Sequence, residues 1–387
     1  MFSNTQAYVD LGFDVEFVTT DQDDYEVPAE LSSATFTRLA PQPSRTMTTR
    51  IAYAFGRPVR LAADHLYRHT ARIRREAQLR YDRDPNAIHH FEYLRTAAAS
   101  LGFAGKSVFS MHDDEYQFLV GHRTIRTDVT GRTSAAHERR EERRVAQVQD
   151  AVYRRADLVV GIAANECDEL RARGQRNVEL LPMSWPRAAR LDRTRPWIDG
   201  GILRLLHVGR IDSLPSFRSL EFILSEVFPR LTAAVAKRME LVVVGEVRDS
   251  ERASSIQALA ERYPNVSFLG YVDDIRSIYA SSDLHLVGST EATGLRTRIV
   301  ESFAFGIPIL STTVAAAGVD KVLSGHDIVL ADTAEAYAGA LTQLVDDPGS
   351  LAALADAASA SYERSFSRRV VAERLGAMLR AHGLWTP

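Results

Sequence analysis

Two short runs decide the fold of this chain: LRLLHVG at residues 203–209 and ELVVVG at residues 240–245. Each is a largely apolar stretch that ends on a glycine, and a longer stretch of helical period lies between them. Apolar runs of this length, separated by helices, are what a parallel sheet covered on both faces requires. The pair therefore predicts two consecutive strands of such a sheet.

The same alternation continues towards the C-terminus, in NVSFLG (265–270), DLHLVGS (283–289), PILST (308–312) and DIVLAD (327–332). Repeated strand–helix alternation predicts a doubly wound α/β domain. The first half of the chain is similar but less regular, with strand candidates AIHHFEYL (87–94), SVFSMHDD (107–114) and ADLVVGIA (156–163). We therefore predict an α/β chain of two Rossmann-like, doubly wound parallel-sheet domains that face each other across a cleft.

The start of the first domain is unusual. Its opening residues, NTQAYVDLG, read as a helix that stops at Gly12, whereas a domain of this type normally starts with a strand and a glycine-rich turn. We expect either that the start is truncated or that the N-terminal domain lacks its first strand.

A stretch rich in proline and glycine, LLPMSWPRAARLDRTRPWIDGG (180–201), marks the junction between the halves. It predicts an N-terminal Rossmann-like domain over 1–190, a linker over 191–202 and a C-terminal Rossmann-like domain over 203–365. Residues 366–387 are predicted to form a C-terminal helix that packs back on the N-terminal domain.

Composition excludes several classes of protein. The 387 residues suit two domains, and 45% hydrophobic and 25% charged residues are typical of a globular protein. A net charge of −3 gives no reason to expect nucleic acid, and the single cysteine, Cys167, excludes an internal disulfide and a cysteine metal cluster. The absence of a long apolar run and of a secretory signal predicts a cytoplasmic protein.

Gly209 and Arg210 directly follow the first of the two deciding strands. Ligands of open α/β sheets bind at the carboxyl edge, where this arginine would lie. A guanidinium suits a diphosphate because its planar fork donates two hydrogen bonds at once. Taken alone, the motif is more typical of a surface arginine in a loop.

The stretch TGLRTRIVESFAFGIPIL (293–310) adds a second candidate. Gly294 allows close backbone approach at a helix start, where free amides attract anions. Arg298 and Glu301 are three residues apart and share a helix face. A phosphate at this helix start would meet Arg298, and a ribose would suit the Glu301 carboxylate. The alternative is an ordinary exposed Arg–Glu pair, which contributes little.

Five motifs in this order and spacing resemble the donor half of GT-B glycosyltransferases, most closely family 4, the retaining "group 1" transferases: HVGR, LVVVGE, NVSFLGYVDDIRSIYASSDLHLVGS, GLRTRIVESFAFGIPILST and GHDIVLAD. The resemblance covers residues 200–385 strongly and 1–190 more loosely. It implies transfer of a sugar from a nucleotide-diphosphate sugar to a glycan or lipid-linked acceptor in polysaccharide or glycoconjugate biosynthesis. It also implies that neither a metal nor a cofactor is required.

The resemblance assigns roles to individual residues. The donor diphosphate would contact Gly209, Arg210, Gly294, Leu295 and Arg298, the ribose would contact Glu301, and the backbone at Tyr271 and Val272 would read the base. In the first half, SMHDDEY resembles the family's strand-end His-Asp, which places His112 near the donor sugar as the candidate catalytic residue.

Two positions depart from the family. Thr293 stands where the first glutamate of the paired-glutamate motif is expected, and Glu291 lies two residues too early to replace it. The lysine usual about five residues after the Gly-Arg pair is also missing, since Pro215 and Ser216 stand there. The sequence thus resembles a subgroup that lacks the first glutamate, in which Arg298 takes over contacts of the missing lysine.

Two other classes of function stay open. A nucleotide-sugar epimerase shares the two-domain fold but needs an acid–base set, for which only His112 is a candidate. A non-catalytic binding or scaffold subunit is compatible with Thr293 and with the missing first strand. Neither His89-His90, which a strand would point to opposite faces, nor His112-Asp113-Asp114 makes a persuasive metal site.

Residues 57–84 have helical period and carry eight arginines among apolar residues. Such a segment could rest on an anionic membrane surface that presents a lipid-linked acceptor. A solvated helix of the domain is the alternative and the commoner reading. We accordingly expect a cytoplasmic protein whose peripheral membrane contact, where it exists, lies in this segment.

Overall fold

The computed structural model describes residues 2–19, 29–39, 46–67, 69–115, 135–185, 190–247, 250–290, 294–322 and 324–386. The chain divides into two compact units. Unit 1 comprises Met1–Met183 and Val371–Pro387, and unit 2 comprises Ser184–Val370.

Unit 1 is built from short strands and longer helices. Its strands are β1 (Glu16–Thr19), β2 (Thr35–Arg38), β3 (Ile88–Glu92), β4 (Lys106–Met111), β5 (Leu158–Gly161) and β6 (Val178–Leu180). Its helices are α1 (Phe2–Asp10), α2 (Met47–Phe55), α3 (Val59–Leu66), α4 (Thr70–Arg83), α5 (Tyr93–Ala97), α6 (Ala135–Arg155) and α7 (Ala164–Ala172), with 3₁₀ turns at Ala29–Leu31 and Ala98–Ser100.

Unit 2 alternates strands and helices throughout. Its strands are β7 (Leu203–Val208), β8 (Met239–Val244), β9 (Val266–Gly270), β10 (Leu284–Val287), β11 (Ile309–Ser311) and β12 (Val329–Leu330). Its helices are α8 (Leu214–Phe222), α9 (Ala233–Ala236), α10 (Glu251–Ala260), α11 (Ile275–Ser281), α12 (Thr297–Phe305), α13 (Thr313–Ala316), α14 (Ala334–Leu344) and α15 (Pro348–Ser365). A π turn (Ile223–Val227) and a 3₁₀ turn (Phe228–Arg230) extend α8, another 3₁₀ turn lies at Asp199–Gly201, and α16 (Arg368–Ala381) closes the chain, mostly in unit 1.

The main sheet of unit 1 is parallel, with strand order β3-β4-β5-β6, and β1 and β2 form a separate parallel pair. Alternate residues of the central strands face opposite sides. Val108 of β4 packs with Leu375 of α16, whereas its neighbour Phe109 packs with Val152 of α6. Both faces of the sheet are therefore buried, which explains the continuous apolar runs in these strands.

The sheet of unit 2 is also parallel, with order β12-β11-β10-β7-β8-β9. Leu205 of β7 belongs to one apolar cluster and Leu206 to another, so this sheet too is covered on both faces. The strand order reverses between β7 and β10, and a crevice at such a switch point is where open α/β sheets bind ligands. The prediction of an α/β chain with two doubly wound parallel sheets is confirmed.

The arginine-rich segment 57–84 forms two helices, not one. α3 and α4 are separated around His69, whose φ of 74° is incompatible with a continuous helix. Leu66 and Ile73 pack against the core of unit 1, and Arg74 forms a 2.8 Å ion pair with Asp64 that is largely buried. The segment is thus a folded part of unit 1. No helix among the described residues is long and apolar enough to cross a membrane.

Candidate functional site

The turns that follow β7 and β8 are packed too tightly for side chains. A Cβ atom on Gly209 would lie 2.2 Å from Ser216 Oγ, and one on Gly245 would lie 1.9 Å from the Gly209 carbonyl oxygen. Real Cβ contacts are essentially never this short, so Gly245, which faces backbone, cannot be replaced without a shift of the chain, and a side chain at Gly209 would displace the Ser216 hydroxyl. The carboxyl ends of β7 and β8 therefore expose backbone at the switch-point edge of the sheet.

A second glycine turn leads into α12. Gly294 has a φ of 70°, and Gly318 approaches it so closely that a Cβ there would lie 2.7 Å from the Gly294 carbonyl oxygen. Leu295 is buried, and the N-cap residue of α12, Arg296, makes no side-chain hydrogen bond to the first turn. The Arg296 side chain therefore does not cap the amides of this turn, and amides at a helix start attract anions.

Arg298 and Glu301 are in contact on α12. Arg298 Nη1 donates to Glu301 Oε2 over 2.7 Å, and the Tyr279 hydroxyl donates to the same oxygen over 3.0 Å. The glutamate side chain is 3% exposed, whereas that of its arginine partner is 41% exposed. This is not the ordinary surface pair that the sequence left open, because the carboxylate is buried and fixes a guanidinium that still reaches solvent.

The Arg298 side chain stays protonated. Burial opposes a charged guanidinium, but the carboxylate of Glu301 and the neighbouring Tyr279 outweigh it and raise the pKa of Arg298. Burial likewise raises the pKa of Tyr279 well above its ordinary value, with Glu301 adding to the effect. At neutral pH Tyr279 is therefore a neutral phenol and Arg298 a permanent cation.

Two buried histidines lie in the neighbouring strands. Burial lowers the pKa of His207 in β7 to about 4, with a smaller contribution from Arg298. Burial also lowers the pKa of His285 in β10 well below its ordinary value, and its Nδ1 lies 2.7 Å from Ser302 Oγ. Both imidazoles are therefore neutral at physiological pH, and the positive charge in this part of unit 2 comes from arginine.

The other predicted residues of unit 2 lie at the same edge but make different contacts. Arg210 follows β7, is half-exposed, and places its Nε 2.9 Å from Asp212 Oδ1. Tyr271 and Val272 follow β9, the tyrosine exposed and the valine packed beside Tyr279 and other apolar residues. The structure thus brings Arg298 and Glu301 into contact, while Arg210 forms an ion pair with Asp212. Thr293 and Glu291 lie outside the described residues.

The carboxyl edge of the unit 1 sheet holds His112, the predicted catalytic residue. It follows β4, and its Nε2 lies 2.5 Å from Oε2 of Glu92, the last residue of the adjacent strand β3. Because parallel neighbours end at the same edge, the two side chains meet there. His90 Nε2 lies 3.5 Å from the other carboxylate oxygen.

Glu92 is the centre of this cluster. Asn4 Nδ2 bridges Glu92 Oε1, at 3.0 Å, and Ser110 Oγ, at 2.9 Å. Burial alone would raise the pKa of Glu92, but the hydrogen bond from His112, the nearby His90 and the bond from Asn4 outweigh it and lower the pKa to about 2. Glu92 is thus a carboxylate at neutral pH, and His112 Nε2–H donates to it.

Tyr93 completes the cluster and carries an unusual backbone. Its φ is 64°, and its ring stacks on that of His112 with a centroid distance of 4.1 Å and an interplanar angle of 19°. Non-glycine residues in this conformation concentrate at functional sites, where the surroundings hold them. Glu92 and Tyr93 are not among the residues predicted from sequence, although FEYL stands at a strand end beside the strand that ends in His112.

Within the described ranges, no group of three or more His, Cys, Asp or Glu side chains is arranged to hold a metal ion. Asp114 is instead bound to Gln149, at 2.9 Å, and lies 3.5 Å from Arg173.

Comparison with known proteins places these features in context. Residues 203–347 match the family profile described as "Glycosyl transferases group 1". No match is found among curated proteins.

Similar solved structures span nearly the whole chain. HepE of Anabaena, solved in complex with UDP and glucose, is 15% identical, with 98% of this chain and 95% of that chain covered and a TM-score of 0.64. The lipopolysaccharide outer core galactosyltransferase WaaB is 13% identical, with 98% and 94% covered and a TM-score of 0.64. Sucrose-phosphate synthase from Thermosynechococcus elongatus is 18% identical, with 97% and 90% covered and a TM-score of 0.63.

The architecture therefore defines a GT-B fold, in which two parallel-sheet α/β units occur in one chain. Within it, residues 203–347 are the part of the chain that is similar to group 1 glycosyl transferases.

Proposed function

We propose that this chain is a nucleotide-sugar-dependent glycosyltransferase of group 1 that acts with retention of anomeric configuration. Its acceptor is a glycan or a lipid-linked sugar in polysaccharide or glycoconjugate biosynthesis. The observation that carries the proposal is Arg298, a permanent cation fixed by the buried Glu301 in the first turn of α12, beside the switch point of the unit 2 sheet.

The chemistry of the reaction matches this edge. When the bond between the sugar and the diphosphate breaks, negative charge builds up on the leaving group, and fixed cations and amides that are already oriented stabilise it. We assign this role to Arg298, to Arg210 and to the backbone of Gly209, Gly294 and Leu295. Gly209 and Gly294 carry no side chain that would stand between the backbone and a diphosphate.

The nucleoside has a place at the same edge. We assign the ribose to Glu301 and the base to the backbone at Tyr271 and Val272. Oε2 of Glu301 already accepts hydrogen bonds from Arg298 and Tyr279, so the ribose contact falls to Oε1. A carboxylate that orients Arg298 while it accepts from a ribose would couple recognition of the nucleoside to that of the diphosphate.

His112 is the proposed catalytic residue of unit 1. Its Nε2–H is held by the Glu92 carboxylate, which leaves Nδ1 as an acceptor for a hydroxyl of the donor sugar. The stacked ring of Tyr93 restricts rotation of the imidazole. Glu92 and Tyr93 are thus positioning residues for His112, and the reaction is proposed to use no metal and no cofactor.

Titration calorimetry with nucleoside diphosphates tests the proposal first. Because HepE was solved with UDP and glucose, UDP and UDP-glucose are the first ligands to measure, followed by GDP and ADP. We expect one of them to bind the wild type and to bind Arg298→Ala at least about 100-fold more weakly, as loss of a charge-assisted contact implies.

Product analysis separates the remaining classes. Donor turnover that depends on an added glycan or lipid-linked acceptor supports a transferase. Binding of none of the diphosphates would favour a scaffold subunit, and turnover without an acceptor-dependent product would favour an epimerase or hydrolase.

A further inference from the structure

Helix α2 presents a stripe of large apolar side chains to solvent. Met47, Ile51 and Phe55 are 69%, 53% and 79% exposed. Their spacing of four residues places them on one face of the helix. Exposed apolar residues scattered singly are ordinary, but a contiguous stripe marks a surface that contacts something else.

The helix itself is firmly held. Thr46 and Thr49 form a reciprocal capping box at its start, and Gly56, with φ of 76°, ends it. Arg144 of α6 donates to the carbonyl oxygens of Tyr53 and Ala54 at its last turn. The inner face is buried against unit 1. The stripe is therefore the outer face of a fixed helix.

The charge around the stripe has one sign. Residues 31–63 contain five arginines and no acidic residue. Arg50, on α2 itself, and Arg57, just after it, are both exposed, and neither side chain makes a hydrogen bond or an ion pair in the part of the chain that the structure describes. On α6, whose Arg144 contacts the end of α2, ERREERR (138–144) offsets three glutamates with four arginines, and Asp64 of the neighbouring α3 is paired with Arg74.

We propose that α2 is an interfacial helix that docks unit 1 onto an anionic lipid bilayer. Met47, Ile51 and Phe55 would enter the boundary between headgroups and acyl chains, while Arg50 and Arg57 pair with lipid phosphates. An apolar face flanked by arginine is the pattern of helices that lie in this interface.

The proposed contact is thus centred on α2 and includes only Arg57 from the segment 57–84 predicted from sequence. Two other arginines of that segment form ion pairs within unit 1: Arg74 pairs with Asp64, and Arg80 pairs with Glu16 and Glu76. Its apolar residues Leu66 and Ile73 pack inward. The side chains of Arg50 and of Arg57, the first residue of that segment, have no such partners among the described residues.

A second copy of the chain fits the stripe less well than lipid does. A symmetric dimer through α2 would bring the arginine-bearing surface of one copy against the same surface of the other, because a two-fold interface pairs a surface patch with itself. Like charges on facing surfaces repel. An anionic lipid surface satisfies the apolar stripe and the arginines together.

Sedimentation with vesicles tests the proposal on the full-length protein. We expect binding to phosphatidylcholine vesicles that contain phosphatidylglycerol, weaker binding at high salt, and little binding to phosphatidylcholine alone. Phe55→Ser should weaken partitioning at least about tenfold through lost apolar burial. Arg50→Gln and Arg57→Gln should each weaken it about fivefold.

Val314→Ser, which removes another exposed apolar side chain, in unit 2, is the matched control and should bind vesicles like the wild type. Circular-dichroism melting should be unchanged in all these variants, since the replaced side chains are exposed.

Equal binding by Phe55→Ser and wild type, or equal binding to neutral and anionic vesicles, would overturn the proposal. So would a smaller oligomer for Phe55→Ser in light scattering, which would identify a second copy as the occupant. The assay needs no nucleotide, so its outcome is independent of the proposed sugar transfer.

Discussion

The carboxyl edges of the two sheets each contain a carboxylate paired with a basic side chain, but the basic side chain is largely buried in unit 1 and partly exposed in unit 2. Each has a buried carboxylate that fixes a basic side chain: Glu92 holds His112 in unit 1, and Glu301 holds Arg298 in unit 2. In unit 1 the carboxylate is saturated by His112, Asn4 and the nearby His90, and the histidine is itself largely buried. In unit 2 the basic partner is 41% exposed.

Because of this difference, we expect the cluster in unit 1 to contribute to folding stability and the pair in unit 2 to contribute to anion binding. A saturated buried cluster should contribute mainly to folding and to the orientation of one imidazole. A buried carboxylate that leaves its cation at the surface should contribute mainly to the capture of an anion. Substitutions in unit 1 should therefore lower stability more than nucleotide affinity, and substitutions in unit 2 should do the reverse.

The largest effect is expected for Glu92→Gln. The pKa of Glu92 falls from an ordinary 4.5 to about 2 in the folded protein. A lowered pKa contributes stability that is present above 4.5 and is lost as the pH falls towards 2. The shift corresponds to about 3 kcal/mol of unfolding free energy. Urea unfolding at pH 7 should show a loss of this order in the variant, and the difference from wild type should shrink towards pH 2.

Glu335→Gln is the control for this measurement. The hydrogen bond from Arg230 also lowers the pKa of Glu335, but this carboxylate is exposed and solvent screens the pair. Its variant should unfold like the wild type at every pH. If Glu92→Gln did so too, the cluster in unit 1 would not be the stabilising centre that its geometry indicates.

Arg298→Ala should have the next largest effect, and on the other property. Without the guanidinium, nucleoside diphosphate affinity should fall about 100-fold, which corresponds to about 2.7 kcal/mol. Calorimetry measures the affinity, and urea unfolding at pH 7 measures the stability, which should fall by less than in Glu92→Gln.

Arg218→Ala provides a matched control for Arg298→Ala. Arg218 and Glu221 have the same spacing on α8, and the arginine is 40% exposed, but the glutamate is 41% exposed instead of buried. Affinity should be unchanged in this variant. Equal losses of affinity in the two variants would mean that the diphosphate is attracted by positive charge in general, and not by Arg298 in the orientation that Glu301 fixes.

Arg210→Ala should have a smaller effect on affinity. This arginine is half-exposed and already paired with Asp212, so it is less fixed than Arg298. We expect nucleoside diphosphate affinity to fall about tenfold, with unfolding unchanged, as for a partly screened contact. A loss larger than that of Arg298→Ala would relocate the diphosphate from α12 to the turn after β7.

The fold could be predicted because it depends on local pattern. Runs such as LRLLHVG (203–209) are mostly apolar since both faces of each strand are buried, and this indicates a covered parallel sheet. The break around His69 was not predicted, because helical period continues through it and only the backbone conformation reveals the separation of α3 from α4.

The candidate site could be predicted in part. Arg298 and Glu301 are near neighbours on one helix, so their spacing indicates their contact. Tyr279 reaches Glu301 across 22 residues, and no periodic pattern reports that distance. Glu92 was within reach of prediction, since it ends a strand parallel to the one before His112, but its role depends on Asn4 and His90, which only the fold assembles around it.

Tyr279→Phe should have the smallest effect and is the sharpest test of the contrast between the two edges. The change removes the hydroxyl that donates to Glu301 Oε2 and keeps the buried ring, so the unfolding free energy should fall by about 1 kcal/mol. Tyr337→Phe, which removes an equally buried hydroxyl that donates to the Leu310 carbonyl, should cost the same stability. Nucleotide affinity should fall about twofold in the first variant alone, because Glu301 still holds Arg298 through its own bond. An affinity loss as large as that of Arg298→Ala would show instead that the phenol positions the carboxylate and that the whole buried group, not the Arg–Glu pair, forms the anion site.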